Sequence, residues 1–467
     1  MNLKDLMQPK MLAPLIIGAL IRFSLAPLTE HRWDMYIWRL HQVFVYHYHV
    51  NPFWPQNIPK IFCWSYPPLW LFILLLIYPI FAVVSPTAYP TDVNSLWRIP
   101  ELNTHWSSLE RMFESYREFA PPNVPVNLPL LDSIIKTPII IADVLIAILL
   151  YKMIKSLSNE SNARYAYWAW LLNPFTICIS ALWGMFDPIP ILFVLLALHY
   201  LLNKKYGKSA LLLGVAVSLK LYAILLIPIF ALVIFKENKR ILGAMKYLLI
   251  SAGFTLLMIF PTFYVSALMA GQEPLSLSTN LTLNLFIKRA SPDWRGQNVM
   301  SGLTPLVALD SIIGRKSETL NFNVPLSPTL MTLGLLIILA KMYRQKKLST
   351  GDIISYTTVT HFMIYLTYSI VNIPHLAWVL PLLLIVGVEK GRLLPRYFYW
   401  TISAIGILAL AATADLSYFI SPYFIPGDYL KWYILPRIPT SFVTMGLLGA
   451  GIGLLYFAGI ALVLRKS

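Results

Sequence analysis

The carboxylate of Asp34 is well placed to do chemistry. It lies in the run Thr29-Glu30-His31-Arg32-Trp33-Asp34-Met35-Tyr36-Ile37-Trp38, just past the first long apolar segment. A carboxylate where a spanning helix meets water keeps its charge and still reaches a lipid head group. Helical spacing sets Asp34 beside Ile37 and Trp38, on the same side as Glu30. Partial burial near apolar rings raises proton affinity, which suits a general base. The plainer alternative is an interfacial carboxylate paired with Arg32 or Arg39.

Three further single residues and one basic group join it. Asp187 closes the run Leu182-Trp183-Gly184-Met185-Phe186-Asp187-Pro188. It can cap the helix that Pro188 begins, and can also face a ligand. Lys220, in Val217-Ser218-Leu219-Lys220-Leu221-Tyr222, stands between two apolar half-helices. Such a lysine is costly unless it snorkels to the surface or meets an anion such as a lipid phosphate. His375, in Val371-Asn372-Ile373-Pro374-His375-Leu376, is a phosphate contact or a structural histidine. Lys288, Arg289 and Arg295 form a basic group suited to a head group or sugar phosphate, if it is not simply solvated. The histidines at 41, 47 and 49 give only a weak metal spacing, and Cys63 and Cys178 have neither metal-like nor redox spacing. No P-loop is present, which disfavours an ATP-driven pump.

These groups are held by a chain built for lipid. Of 467 residues, 57% are hydrophobic and only 12% charged. A soluble protein carries roughly twice that charge. Apolar runs recur throughout, so the expected fold is an all-α polytopic membrane protein. The first run lacks a small-residue cleavage site and reads as a retained helix. The net charge of +16 collects in short loops, which is a topology signal and gives no reason to invoke nucleic acid. With the basic clusters in the cytoplasm, helices are expected at 11–28, 134–154, 165–184, 188–203, 208–219, 221–235, 243–265, 325–343, 352–371, 376–389, 396–414 and 441–464. That is about twelve spans with both termini inside.

Residues 29–133 then form one long external loop with interfacial helices, rich in Trp and Tyr. The alternative is that 68–85 spans. The segments 208–219 and 221–235 make a shallow hairpin with Lys220 at the outer surface. The organisation reads as a module over 1–265 that includes the first loop, an external loop over 266–324, and C-terminal helices over 325–467.

Several stretches resemble the GT-C superfamily of polyprenyl-phosphate-sugar-dependent glycosyltransferases. They are Asp34 after the first helix, Ser65-Tyr66-Pro67-Pro68-Leu69-Trp70, the turn from Trp183 to Asp187, and the stretch from Leu211 to Tyr222. The Ile373-Pro374-His375 junction is similar to one before a late helix. The nearest likenesses are the dolichyl-phosphate-glucose glucosyltransferases of N-glycan assembly and the first mannosyltransferase of GPI-anchor synthesis. The likeness covers the first half of the chain; the second half matches mainly in helix layout.

The resemblance implies a GT-C-like fold and an inverting hexosyltransferase on the extracytoplasmic or ER-luminal face of a multi-pass protein. Mannose is favoured over glucose. The donor is a polyprenyl-phosphate sugar, and the acceptor a lipid-linked or glycan molecule within membrane lipid. Asp34 would be the base that deprotonates the acceptor hydroxyl. Lys220, His375, Arg289 and Arg295 would hold the leaving phosphate. Asp187, Glu30, Trp183 and Tyr66 would orient sugar or acceptor. No cofactor is expected, and metal independence is favoured over a divalent ion. A transporter or flippase for lipid-linked substrates is the alternative. It is disfavoured because no halves match and the polar groups crowd one face.

Overall fold

The computed structural model describes residues 8–46, 52–53, 64, 66–84, 128–269, 271, 273–287, 301–302, 305, 326–368, 370–389, 394–413, 419 and 442–464. These residues are almost wholly helical. In chain order the helices are α1 (Pro9–Leu25), α2 (Arg32–Tyr46), α3 (Pro68–Val84), α4 (Leu128–Leu157), α5 (Glu160–Leu171) and the short α6 (Pro174–Ile177), which runs on as a π-helical turn, Cys178–Trp183. Then come α7 (Pro188–Leu202), α8 (Tyr206–Leu219), a 3₁₀ turn (Leu221–Leu225), α9 (Leu226–Asn238), α10 (Ile241–Met269) and α11 (Pro274–Ile287). The rest are α12 (Leu326–Arg344), α13 (Thr350–Thr367), a 3₁₀ turn (Ile373–Trp378), α14 (Leu380–Glu389), α15 (Leu394–Thr413) and α16 (Phe442–Leu464). A two-residue parallel pairing joins Ser301–Gly302 to Ile370–Val371.

Local signals explain the boundaries. Proline opens α1, α6 and α7, where its fixed φ suits the first turn and its missing N–H is not needed. Asn159 caps α5 by accepting from the Asn162 amide at 2.9 Å. Ser349 and Asp352 close a reciprocal capping box on α13. The segment expected as one helix over 165–184 is broken instead. Pro174 cannot continue the helical ladder, and the Asn173 side chain takes the Phe175 amide at 2.8 Å. Gly184, at φ +79°, ends the π turn.

Helix α4 runs longer than the expected 134–154, starting at Leu128. Its extra turn can include Asp132 because Arg39 from α2 meets that carboxylate at 2.7 Å. The segment expected as the first external loop accordingly contains α2, α3 and the start of α4, and α11 occupies part of the segment expected as the second.

Helix α4 is central, packing on α1, α3, α5, α7 and α14, while α8 packs on α7 and α10. The α8–α10 contact is close: a Cβ on Gly214 would come within 2.9 Å of the Ser251 carbonyl. Deep in the bundle, Arg22 of α1 and Asp143 of α4 form a fully buried ion pair at 2.7 Å. The remaining polar valences of the pair are met by Leu171 O, Gly18 O, Thr176, Ser180 and the Trp170 indole.

The basic turns gather at one end. Lys204 pairs with Glu237 at 2.8 Å, Lys236 donates to the Tyr343 carbonyl at 2.7 Å, and Arg396 donates to Asn162 at 2.8 Å. This is the segregation that the alternation of basic loops predicted. Among the described residues three helices, Pro129–Leu157, Leu221–Asn238 and Ile241–Leu268, are long and apolar enough to cross a membrane. Helices Pro68–Val84, Pro188–Leu202 and Tyr206–Leu219 are apolar but shorter. The chain is thus an apolar helical bundle of membrane-protein character.

Candidate functional site

The end opposite the basic turns collects the polar and aromatic side chains. It is built where α1, α6, α8 and α13 finish and where α2, α4, α7 and α14 begin. Asp34 sits in the first turn of α2 with its side chain 20% exposed. Its Oδ2 accepts from the Trp183 indole N–H at 2.7 Å and lies 2.9 Å from His31 Nδ1. The His31 ring stacks on Trp183 with centroids 4.2 Å apart, and its amide donates to the Trp183 carbonyl. Burial pushes the Asp34 carboxyl upward, but His31, the Trp183 N–H and the charge of Lys220 outweigh it, and the group is held below its usual value of 3.8. The expected rise in proton affinity is therefore corrected. The polar partners on this carboxylate are stronger than the apolar rings around it.

The Arg39 alternative for Asp34 is also corrected. Arg39 turns to the fully buried carboxylates of Glu30 and Asp132, contacting each at 2.7 Å. Glu30 is held below its usual range: burial opposes this, and Arg39 and Lys136 overcome it. Lys136 donates to the carbonyls of Ala26 and Thr29, closing the C-terminal end of α1.

Lys220 does not reach an outer surface. It is 4% exposed, and its Nζ meets both oxygens of Asp187 at 2.7 Å. The Trp378 indole also donates to Asp187. Aromatic rings surround the ammonium: Phe186 at 5.0 Å, Trp378 at 5.4 Å and Tyr66 at 5.8 Å. Asp187 sits at the N-cap position of α7 but makes no capping bond, because its carboxylate is directed to Lys220 and Trp378. His375 lies in the 3₁₀ turn, 7% exposed, stacked on Trp378 at 4.3 Å. Its Nδ1 accepts the Asn372 amide at 3.1 Å, which fixes the ring as part of the turn.

Asp34, Trp183, Tyr66, Asp187, Lys220 and His375 thus share one end of the bundle. Arg289 and Arg295 lie outside the described residues, as do His47 and His49. Sequence reasoning missed His31, Trp378, Asp132 and Lys136. The His31/Asp34 spacing of three is one helical turn and could have been noticed. The other three act across long sequence separations that no local pattern encodes. Among the described residues no three of His, Cys, Asp or Glu gather as metal ligands.

Residues 123–294 match the family model of the GPI transamidase subunit PIG-U. This stretch, a little over a third of the chain, contains Trp183, Asp187, Lys220 and Arg289 but not Asp34, Tyr66, Arg295 or His375. No curated protein matches the chain.

The PIG-U match overturns the resemblance to polyprenyl-phosphate-sugar glycosyltransferases. Hexosyl transfer falls with it, as do the dolichyl- or polyprenyl-phosphate sugar donor, the glycan acceptor and the flippase alternative. The geometry gives a physical reason. The Lys220–Asp187 pair is net neutral, so a leaving phosphate would have to compete with Asp187 for the ammonium, and a carboxylate with depressed proton affinity is a weak base.

Proposed function

We propose that this chain is a membrane-embedded subunit of a GPI transamidase-type complex, in which it assembles with the other subunits instead of transferring sugar. The observation that carries this reading is the match to PIG-U over residues 123–294, which spans α4 to α11 and includes the Asp187–Lys220 pair. In this reading the chain sits in the endoplasmic reticulum membrane, with about twelve spans and its basic turns in the cytosol. The end bearing Asp34, Asp187 and Lys220 then faces the lumen, where proteins receive their GPI anchor. The charged groups there neutralise one another, as suits a rigid platform for assembly.

The test is affinity purification of the tagged full chain from its own membranes in a mild detergent, with the bound proteins identified by mass spectrometry. A second arm measures surface display of a GPI-anchored reporter in cells depleted of the chain. Co-purification of the transamidase subunits with loss of reporter display is expected. A chain that purifies without them, and whose depletion leaves the reporter on the surface, overturns the reading.

A further inference from the structure

Among the described residues, two buried polar atoms beside the Lys220–Asp187 pair meet no protein donor or acceptor: the Tyr222 hydroxyl and Nε2 of His361. Tyr222 is 8% exposed and His361 fully buried. Tyr222 stands in the 3₁₀ turn after Lys220, stacked on Trp378 with centroids 3.8 Å apart. His361 projects from α13 and meets the Tyr222 ring edge-on, with centroids 5.6 Å apart and planes at 64°. The two orphaned atoms therefore sit on rings that touch inside the bundle. Buried polar atoms are rarely left without a partner, and a roomy polar site is where an internal water settles.

The chemistry of the partner follows from the histidine. His361 Nδ1 lies 2.8 Å from the Thr357 carbonyl oxygen. A carbonyl only accepts, so Nδ1 carries the proton, and Nε2 of the neutral ring is an acceptor. Tyr222 contributes a hydroxyl that can donate. What satisfies both must itself donate one hydrogen bond and accept another. A fully ionised anion has no proton to give Nε2. A metal ion would need further ligands, and no such group gathers among the described residues.

We propose that Tyr222 and His361 form an internal binding site for a hydroxyl oxygen, which accepts from the Tyr222 O–H and donates to His361 Nε2. The oxygen is a water molecule or a hydroxyl of a lipid head group; the two present the same chemistry to the site. The bridge ties α13 to the 3₁₀ turn after Lys220, and through Trp378 to Asp187.

Cryo-electron microscopy of the full chain in lipid nanodiscs, at a resolution that resolves ordered waters, tests this directly. An isolated density within hydrogen-bonding distance of both atoms identifies water, and density continuous with a lipid identifies a head-group hydroxyl. Either supports the site; an interior without density between the two side chains overturns it. Thermal unfolding of Tyr222→Phe, His361→Leu and the double variant gives an independent reading. With a bridging oxygen each single change lowers the unfolding midpoint, and the double change lowers it by less than the sum. A midpoint that stays level or rises in Tyr222→Phe means the hydroxyl had nothing to lose, and the proposal fails.

Discussion

Removing one charge from the Lys220–Asp187 pair should damage the fold far more than removing both. In Asp187→Asn the lysine keeps its buried position but loses the carboxylate that holds it with two 2.7 Å contacts. Breaking a buried pair from one side costs about 3–5 kcal/mol. Three rings within 5.8 Å of the ammonium and the more distant charge of Asp34 offset part of this. The net loss expected is roughly 2–4 kcal/mol. Lys220→Met should cost a similar amount, because Asp187 is then a buried carboxylate with the Trp378 N–H as its remaining donor from this cluster. Combining Lys220→Met with Asp187→Asn removes both charges and keeps an oxygen for Trp378. The double variant should recover most of the loss, giving a coupling of about 2 kcal/mol or more. The assay is thermal or denaturant unfolding of the detergent-solubilised full chain, followed by tryptophan fluorescence. Additive losses across the cycle would refute the view that the pair acts as a unit.

Two further outcomes are expected. Asp34 is held below 3.8, so it contributes stability that is complete above that pH and is lost as pH falls through the depressed folded value; Asp34→Asn should flatten this acid limb of the unfolding midpoint, and an unchanged acid limb would remove Asp34 as its source. Gly184→Ala should cost about 1–3 kcal/mol, because φ is +79° there and the new Cβ would lie 2.7 Å from Lys136 Cε, on a side chain already tied to two carbonyls; a wild-type melting curve would show that the turn relaxes freely.

How far the sequence carries depends on the range of the interaction. Pro188 and Lys220 mark real breaks because proline chemistry and an isolated charge act within a turn or two. The basic loops sort to one end for a similar reason: charge excess is readable one loop at a time. The Arg22–Asp143 pair spans 121 positions, and the Arg39–Asp132 contact spans 93, so neither leaves a local trace. Asp143 alone reads as an oddity in an apolar helix; only the fold supplies its arginine. The functional misreading has a related cause. The Trp183-to-Asp187 turn and the Lys220 corner specify how a carboxylate and an ammonium are buried together among aromatic rings. That is an architectural instruction, and it is compatible with more than one activity.

The shortness of α7 and α8 has a consequence for depth. Both helices run from the basic end to the Asp187–Lys220 end, α7 with 15 residues and α8 with 14. At about 1.5 Å per residue each rises only about 21–23 Å. A bilayer's hydrocarbon layer is about 30 Å thick. If the basic turns mark one interface, the ion pair ends several ångströms short of the other. The pair then lies at the depth of the far leaflet, screened from acyl chains by the rings of Phe186, Trp378 and Tyr66. A charged contact at that depth cannot be rescued by water when one partner is lost, and bilayer thickness, set by acyl length and sterol, sets how far from the far interface it sits.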